Sequence, residues 1–404
     1  MKVLIADKFQ DWGLEELRQA GCEVVYDPAL EGDALREAIG RTGCAVLIVR
    51  GTRVTEAMLS AGGVLSVVVR AGAGYNTIDV AAASRRSILV ANCPGKNAVA
   101  VAELTFALIL GLDRRVVENV VDLRNGKWNK HEYDKARGLK GRTLGVVGLG
   151  QIGQAVVKRA QAFEMPVAAW SRSLTAEWAS ELGVIRCESP VEVASRSDIL
   201  TIHLAAAPET KGIINAVVLN ALPPGSYVIN TSRAEVMDYP ALAVAVRERG
   251  LRVGLDVFAD EPSSGAGAFR AAILDAGGIV YGTHHIGAST EQAQQAIADE
   301  TIRIVRQYLH SGKVENCVNL CERSRARYVV VVRHRNRPGV LAHTLNEISQ
   351  AGVNVEEMEN VICAGAESAC ARIKLAGPLG EEVLARIRGG NQHVLGVSMS
   401  SVAE

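Results

Sequence analysis

Three polar side chains in the second half of the chain stand where acid–base chemistry on a small anion could take place. Arg233 follows an apolar stretch, Glu261 follows a second one, and His285 stands in the segment Thr283–Thr290. A guanidinium can grip a carboxylate through two hydrogen bonds, and an imidazole beside a carboxylate can take and return a proton near neutral pH. If the three meet, we expect Arg233 to hold a substrate carboxylate, and His285, oriented by Glu261, to move a hydroxyl proton.

A glycine-rich turn upstream of these residues predicts a dinucleotide cofactor. Gly148, Gly150 and Gly153 form a G-x-G-x-x-G pattern between an apolar strand and an amphipathic helix. In this context the first glycine permits a tight turn, the second lets the backbone approach a pyrophosphate, and the third lets the helix pack closely on the strand. The N–H groups that open the helix, at Gln151 and Ile152, are expected to face the phosphates.

The strand after the cradle ends in Trp170-Ser171-Arg172, where an NAD-binding fold normally places a carboxylate. Without that acid a 2′-phosphate would meet no repulsion, and Arg172 could pair with it. The cofactor is therefore expected to be NAD or NADP, and the alternative that Arg172 faces solvent while NAD binds stays open. Further cofactor contacts are expected at later strand ends and in the His285 loop, namely at Thr231, Ser232, Asp256, Gly287 and Ala288.

Bulk properties argue against several function classes. The 404 residues include 44 basic and 44 acidic side chains, so the formal net charge at pH 7 is zero. A nucleic-acid binder held mainly by charge is therefore not expected. No long apolar run is present, so no membrane span is expected. Eight cysteines without a C-x-x-C pair indicate neither a metal site nor a disulfide framework, and a cytoplasmic location is predicted.

The alternation of apolar strands with helical patterns predicts an α/β fold of two doubly wound, Rossmann-like parallel-sheet domains, one inserted in the other. One buried helix over residues 99–123 is expected to bridge them. A βαββαβ order near the C-terminus predicts a ferredoxin-like module. The expected boundaries are 1–97 with 285–315 for a substrate-binding domain, 98–284 for the dinucleotide-binding domain, 316–327 for a linker and 328–404 for the module.

These motifs resemble the D-isomer-specific 2-hydroxyacid dehydrogenase family over about residues 1–315. The shared elements are the glycine cradle, Asn-Thr-Ser-Arg ending at Arg233, Asp-Val-Phe-x-x-Glu-Pro around Glu261, and His-Ile-Gly-Ala-Ser-Thr from His285. The resemblance implies hydride transfer between a nicotinamide cofactor and a 2-hydroxy acid. It also implies substrate contacts from the loop Gly72-Ala73-Gly74 and from Asn97. Arg50 and Arg53 are candidate ligands of a substrate phosphate.

Besides the missing cofactor-binding acid after Trp170, three features depart from the family pattern. His284 stands where a proline usually precedes the catalytic histidine, and Ala234 stands where a glycine usually follows the catalytic arginine. An alanine at that place would be strained if its φ were positive. The segment Arg50–Arg53 is one residue shorter than the expected phosphate-binding turn.

The C-terminal segment from Arg333 to Leu341 resembles the first strand and turn of an ACT regulatory domain. In serine-sensitive D-3-phosphoglycerate dehydrogenases that domain holds its effector at a subunit interface, which implies an L-serine site at His334, Asn336 and Asn354. Ordinary turn chemistry at the two asparagines is the alternative. The loop with Trp128 and Lys130 is similar to one that reaches a neighbouring subunit in those enzymes, so a homodimer or homotetramer is expected.

Together the resemblances favour oxidation of 3-phospho-D-glycerate to 3-phosphohydroxypyruvate, the entry step to serine synthesis. A glyoxylate or hydroxypyruvate reductase, or another D-2-hydroxyacid dehydrogenase, is the alternative within the enzyme class. A corepressor-like protein that senses dinucleotides is the alternative from another class, and near-normal function after loss of His285 would favour it. No metal is expected in either case.

Overall fold

The computed structural model of the chain describes residues 1–262, 267–321 and 324–402. It divides into two compact units, Met1–Asn319 and Leu320–Glu404. Two residues of the predicted linker, 322 and 323, and the last two of the predicted module, 403 and 404, lie outside the described residues. None of the helices in the described ranges combines the length and the apolar character needed to cross a membrane.

A five-stranded parallel sheet opens the first unit. The spatial order is β2-β1-β3-β4-β5. Apart from the edge strand β2, which is half-buried, the strands are mostly buried apolar runs, as expected when helices cover both faces of a parallel sheet. Every neighbouring pair in this sheet is parallel, so all five carboxyl ends lie at one edge. The strands are β1 (Lys2–Ile5), β2 (Glu23–Tyr26), β3 (Val46–Val49), β4 (Val67–Arg70) and β5 (Leu89–Ala91), and the helices are α1 (Asp11–Gln19), α2 (Gly32–Thr42), α3 (Glu56–Ala61) and α4 (Val80–Arg85).

A seven-stranded parallel sheet follows in the same unit. Its order, β12-β11-β10-β9-β6-β7-β8, reverses direction between β6 and β9, and ligands of such folds bind at the carboxyl edge beside that reversal. The strands are β6 (Leu144–Val147), β7 (Val167–Trp170), β8 (Ile185–Arg186), β9 (Ile199–Ile202), β10 (Tyr227–Asn230), β11 (Arg252–Leu255) and β12 (Val280–Gly282). The helices are α5 (Ala98–Arg114), α6 (Val116–Arg124), α7 (Lys130–Tyr133), α8 (Gln151–Ala162), α9 (Ala176–Leu182), α10 (Pro190–Ser195), α11 (Ala216–Ala221), α12 (Tyr239–Arg249) and α13 (Glu291–Ser311), with 3-10 turns at Ala234–Val236 and Ala272–Asp275.

The predicted single helix over residues 99–123 is wrong, because two helices occupy this stretch. Arg115 has a φ of +50°, a left-handed conformation that no right-handed helix can continue through. Before this break, α5 packs its apolar side chains, Phe106 and Ile109 among them, into the core of the second sheet. After the break, α6 buries none of its residues.

Helix α13 brings the chain back to the first sheet. Its Ile297 and Ile302 are buried in the same apolar cluster as Val3 and Ile5. The chain then runs along β5, where Cys317 forms an antiparallel bridge with Ala91. The N–H of Val318 donates to the carbonyl oxygen of Val90, and Oδ1 of Asn319 accepts from the N–H of Val90. The first residues of the predicted linker are therefore held by β5, and the second unit begins only at Leu320.

The second unit contains one four-stranded antiparallel sheet with the order β14-β15-β13-β16. Its elements follow the predicted βαββαβ order: β13 (Tyr328–Arg335), α14 (Val340–Gln350), β14 (Val355–Ile362), β15 (Ser368–Leu375), α15 (Glu381–Gly389) and β16 (Val394–Ser401). Alternate residues of β13 and β15, such as Val330, Val332 and Ile373, are buried against the helices. The predicted fold class, two parallel-sheet α/β domains and a C-terminal antiparallel sheet, is confirmed.

Candidate active site

The glycine cradle lies between β6 and α8, as predicted. Gly148 has a φ of +102°, and a Cβ there would collide with the carbonyl oxygen of His203. A Cβ at Gly153 would collide with the carbonyl oxygen of Gly148, so the helix packs directly on the turn. A Cβ at Gly150 would meet no atom within 4 Å, which leaves open space where a pyrophosphate would approach the backbone.

The start of α8 carries no side-chain cap, because its N-cap residue is Gly150. The first N–H groups of the helix, at Gln151 and Ile152, have no acceptor within the helix and carry its partial positive charge. The side chain of Gln151 lies over Gly95, where a Cβ would collide with the Gln151 amide. This uncapped helix end beside open space fits a dinucleotide pyrophosphate.

The end of β7 places Ser171 and Arg172 at a loop tip without an acid. Arg172 is exposed and has no hydrogen bond or ion pair within the described part of the chain. The next acid along the sequence is Glu177, in the first turn of α9. The site therefore offers a 2′-phosphate no repulsion from the strand end, as the sequence predicts.

Two of the predicted cofactor residues use their side chains inside the protein. The hydroxyl of Thr231 lies 3.0 Å from that of Thr105 on α5. The hydroxyl of Ser232 donates to Oδ1 of Asn230 at 2.8 Å. Both residues are buried, so their hydroxyl groups are not presented to a ligand.

Arg233 extends from this loop toward the first sheet. A Cβ at Gly74 would collide with its guanidinium, so the arginine lies directly against the predicted substrate loop. Asn230 donates from Nδ2 to the carbonyl oxygen of Arg233 at 2.9 Å, and Arg233 donates from Nη1 to the carbonyl oxygen of Ser232 at 2.7 Å. The expected strain at Ala234 does not arise, because that residue begins a 3-10 turn with negative φ.

His285 and Glu261 form the predicted acid–base pair. Nδ1 of His285 lies 2.7 Å from Oε2 of Glu261, and the N–H of Phe258 donates to the other carboxylate oxygen at 2.8 Å. Burial raises the pKa of Glu261, but hydrogen bonds from His285 and Phe258 and the charges of His285 and Arg233 outweigh it, so that this pKa lies below its ordinary value. The carboxylate stays ionised and holds Nδ1, which leaves Nε2 of the imidazole for a substrate proton.

The predicted cofactor residue Asp256 faces the His285 loop instead. Its carboxylate is 1% exposed and accepts hydrogen bonds from the Thr283 hydroxyl at 2.6 Å and from the N–H groups of Ile286 and Gly287, each at 2.8 Å. These donors lie on both sides of His285, whose φ is +53°. A non-glycine residue holds that conformation only when its surroundings impose it. Asp256 therefore holds the loop in the shape that places the imidazole.

Three arginines, Arg50, Arg70 and Arg233, converge on the substrate side of the site. The Arg70 guanidinium lies against Gly72, where a Cβ would collide with it. Burial, followed by the charges of Arg233 and Arg50, lowers the pKa of Arg70 to about 10, so the side chain remains charged at neutral pH. None of the three forms an ion pair with a carboxylate within the described residues. The sequence analysis missed Arg70, although a charged residue ending the apolar strand Val67–Arg70 was a usable signal.

The remaining residues that were predicted to contact substrate differ in whether their polar groups are free to do so. The N–H of Gly72 donates to the carbonyl oxygen of Arg70 at 2.8 Å in a three-residue turn, so this predicted donor is not available to substrate. The N–H groups of Ala73 and Gly74 have no such partner among the described residues. Arg53 is exposed, without an ion pair in the same ranges, and Oδ1 of Asn97 is buried without a partner at the start of α5. Two other predicted residues, Gly287 and Ala288, lie in the loop after His285.

The predicted effector residues do not meet within one chain. His334 is buried, and its Nε2 lies 3.1 Å from Oδ1 of Asn360 on β14. Asn336 donates from Nδ2 to the carbonyl oxygen of Ala366 at 3.1 Å, which fastens the hairpin between β14 and β15. Asn354 donates from Nδ2 to Glu356 at 2.8 Å.

Strand direction explains this separation. Strands β13 and β14 are both antiparallel to β15 and therefore run in the same direction. Asn336 follows the end of β13, whereas Asn354 precedes the start of β14. The two asparagines therefore lie at opposite ends of the strands. The eight residues of β15 span this interval, which is roughly 26 Å at about 3.3 Å per residue. His334 and Asn354 of one chain are therefore too far apart to contact the same small ligand.

Comparison with known proteins agrees with this geometry. Residues 106–287 match the family described as D-isomer specific 2-hydroxyacid dehydrogenase, NAD binding domain. The chain is 35% identical over 322 residues to the D-3-phosphoglycerate dehydrogenase of Methanocaldococcus jannaschii, a match that covers 79% of this chain and 60% of that protein. The chain thus spans less than two thirds of that relative's length.

Two solved structures share this fold over most of the chain. The TT0316 protein from Thermus thermophilus is 31% identical with a TM-score of 0.69, and the match covers 79% of this chain and 100% of that one. The NAD+-bound 3-phosphoglycerate dehydrogenase of Entamoeba histolytica is 27% identical with a TM-score of 0.66, and the match covers 79% and 99%.

The matched segment contains the cradle at Gly148 and the three convergent side chains Arg233, Glu261 and His285. These residues follow the order expected for the family and lie after strand ends, in agreement with the sequence matches. The chain belongs to the D-isomer specific 2-hydroxyacid dehydrogenase family.

Proposed function

We propose that the chain is a D-3-phosphoglycerate dehydrogenase, which oxidises 3-phospho-D-glycerate to 3-phosphohydroxypyruvate with a nicotinamide cofactor. The observation that carries this proposal is the His285–Glu261 pair, with Nδ1 and Oε2 2.7 Å apart and with Arg233 near enough to lower the pKa of the same carboxyl. The name of the relative from Methanocaldococcus jannaschii supports the choice of substrate.

The chemistry follows from which atoms are free. Arg233 would hold the substrate carboxylate through two hydrogen bonds, beside the unoccupied N–H of Gly74. Nε2 of His285 would accept the hydroxyl proton while Glu261 stabilises the resulting imidazolium through Nδ1. In the reverse direction the same imidazolium returns the proton to the carbonyl oxygen.

The arginine cluster favours a substrate with a second anionic group. Arg233 accounts for one carboxylate, and the two positive charges of Arg50 and Arg70 exceed the single negative charge of Asp7, the carboxylate beside them. Uncompensated charge in a partly buried site is costly, and a phosphate would offset it. Arg53, exposed at the neighbouring turn, is a further candidate ligand.

Steady-state kinetics tests the substrate. We expect kcat/KM for 3-phospho-D-glycerate to exceed that for D-glycerate by at least about a hundredfold, since two charged hydrogen bonds are lost without the phosphate. A glyoxylate or hydroxypyruvate reductase, or another D-2-hydroxyacid dehydrogenase, would show equal or reversed preference. That outcome would contradict the phosphoglycerate assignment.

A nicotinamide dinucleotide fits the cradle, because the open space at Gly150 and the uncapped N–H groups of Gln151 and Ile152 suit a pyrophosphate. When bound, it would supply the hydride acceptor. Ser171 and Arg172 at the end of β7 support use of NADP as well as NAD, since no acid opposes a 2′-phosphate there.

We further propose that the C-terminal module is an ACT domain that binds an amino acid such as L-serine between two copies of the chain. His334 and Asn336 would come from one copy and Asn354 from the other, since these residues stand at opposite sheet edges in a single chain. Edge strand β14 leaves apolar side chains exposed, Met358, Val361 and Ile362, where a second copy could pair with it.

A homodimer or homotetramer is also supported by α6. Valines recur along one stripe of this helix, and neither they nor the neighbouring Trp128, which is 84% exposed, are buried in the single chain. Symmetric association of this surface would cover them. The stripe consists of Val116, Val117, Val120 and Val121.

Two further assignments remain proposals. The domain boundaries at residues 97/98 and 284/285 are supported by the end of the first sheet at β5 and by the return of α13 to it. A cytoplasmic location is supported by buried thiols without disulfides, such as Cys22, Cys44 and Cys93, which are typical of a reducing compartment.

A further inference from the structure

The turn that follows β3 surrounds a carboxylate of the protein itself. Oδ2 of Asp7 accepts hydrogen bonds from three successive backbone N–H groups, those of Arg50 at 2.6 Å, Gly51 at 3.1 Å and Thr52 at 3.1 Å. Successive N–H groups that converge in this way form a concave site for an anion. Here the anion comes from residue 7, so that site is already filled.

Asp7 stands beside the arginine cluster. Strands β1, β3 and β4 are neighbours in the first sheet, and Asp7, Arg50 and Arg70 stand at their carboxyl ends. The charges of Asp7 and Arg50 both act on the buried Arg70, as does that of Arg233. One carboxylate and three guanidinium groups therefore share the edge of the sheet where a substrate would bind.

We propose that Asp7 is a positioning residue: it fixes the turn after β3 so that the Arg50 guanidinium faces the second anionic group of the substrate. The inference rests on the proposed function insofar as that group is a phosphate. Asp7 already occupies the N–H groups of Arg50, Gly51 and Thr52. In this turn the second anionic group of the substrate can therefore bind only to side chains, chiefly those of Arg50 and Arg70. The short segment Arg50–Arg53 thus recognises an anion through its side chains instead of through its backbone N–H groups.

The test uses variants of the full chain. Asp7→Ala removes the acceptor, so the turn loosens and KM for 3-phospho-D-glycerate should rise about tenfold, while kcat and the KM for D-glycerate stay within about twofold. Asp7→Asn keeps an oxygen acceptor for the three N–H groups and should restore KM to within about threefold of the original chain. Arg50→Ala should reproduce the loss, and the double variant Asp7→Ala with Arg50→Ala should lose little more, since the two act through one contact.

Asp27→Ala is the matched control. Asp27 also follows a strand of the same sheet, β2, and also accepts a backbone N–H, that of Ala29 at 3.1 Å, but it stands on the far side of β1 from the arginines. Its loss should change neither KM. If Asp7→Ala does not fold, Asp7→Glu, which displaces the carboxylate by one methylene, must show the same selective rise.

Inorganic phosphate provides a readout that does not depend on turnover. Phosphate should raise the melting temperature of the original chain and of Asp7→Asn, and should raise it much less for Asp7→Ala. An unchanged KM and an unchanged phosphate response in Asp7→Ala, or a lowered KM, would overturn the role of Asp7 while leaving the substrate assignment intact. If the original chain does not prefer the phosphorylated substrate but its phosphate response still requires Asp7, the substrate assignment fails and the role of Asp7 stands. If the original chain shows neither preference nor phosphate response, both fail.

Discussion

In the first unit, Arg233, Glu261 and His285 come from separate strand ends and lie close together, whereas in the C-terminal unit His334 and Asn354 lie at opposite edges of one small sheet. Both sets are predicted from local sequence motifs. Within one chain, Nδ1 of His285 lies 2.7 Å from Oε2 of Glu261, and the charge of Arg233 acts on the same carboxyl. The effector set is divided by the length of a strand.

Strand direction accounts for the difference. All strands of the second sheet are parallel, so every residue that follows a strand, including Arg233 after β10 and Asp256 after β11, emerges at the same edge. In the C-terminal sheet, His334 lies near the end of β13 and Asn336 follows it, whereas Asn354 precedes β14. Because β13 and β14 run in the same direction, these positions lie at opposite ends of the strands. A motif therefore predicts convergence only when its residues occupy equivalent ends of parallel strands.

The largest expected effect tests whether one chain holds the whole catalytic set. Arg233→Ala and His285→Ala should each lower kcat/KM by about a thousandfold, because the carboxylate grip or the proton acceptor is lost. Mixing the two purified variants and allowing subunit exchange should restore nothing, since no single chain then carries both groups. His284→Ala is the control and should retain most activity. Recovery in the mixture would contradict a site completed within one chain, and near-normal activity of His285→Ala would contradict its role as the proton acceptor.

A smaller effect tests the carboxylate that shapes the catalytic loop. Asp256→Asn should lower kcat about ten- to a hundredfold, because one of its hydrogen-bond acceptors is replaced by an N–H₂ group that cannot accept from the loop. The cofactor Kd should change by no more than about twofold, since both carboxylate oxygens contact the loop and not the cradle. Thr283→Val removes only one of the three donors and should cost less. A dominant rise in the cofactor Kd would return Asp256 to the cofactor site.

The end of β7, in the same sheet, allows a test of cofactor choice. Ser171→Asp introduces the missing acid, which should lower the ratio of kcat/KM for NADP to that for NAD by about tenfold through repulsion of the 2′-phosphate. Ser173→Asp, two residues further along the exposed tip, is the control with a smaller expected change. An unchanged ratio in Ser171→Asp would mean that the 2′-phosphate binds elsewhere.

The effector residues His334 and Asn354 allow a test in the C-terminal unit. His334→Ala and Asn354→Ala should each abolish L-serine binding in calorimetry on the full chain, because each removes one half of a shared site. After subunit exchange, the mixture should recover about half of the binding sites in every mixed dimer, since one interface site then receives both intact residues. Asn360→Ala, which removes the partner of His334 within the same chain, should weaken binding in every combination. No recovery on mixing would contradict an effector site shared between two copies of the chain.

Much of this arrangement was predictable from local pattern. The turn at Gly148, the apolar strands and the charged residues at their ends are visible in sequence, because glycine turns and buried parallel strands impose strong local constraints. Arg115 was not predictable, since the apolar residues continue past it and nothing local indicates a left-handed break. The three donors to Asp256 were not predictable either, because a carboxylate after a strand suits a ligand and a neighbouring loop equally well.

Residue type and short-range periodicity are enough to identify the acid–base residues, the cradle that precedes them and the class of sheet that carries them. The folded chain was needed to show that Asp7 fills the turn at Arg50, that Asp256 holds the loop of His285, and that His334 and Asn354 stand apart. Those outcomes depend on which strands become neighbours and in which direction they run, and hydrogen bonds between distant segments form only after the sheets are assembled.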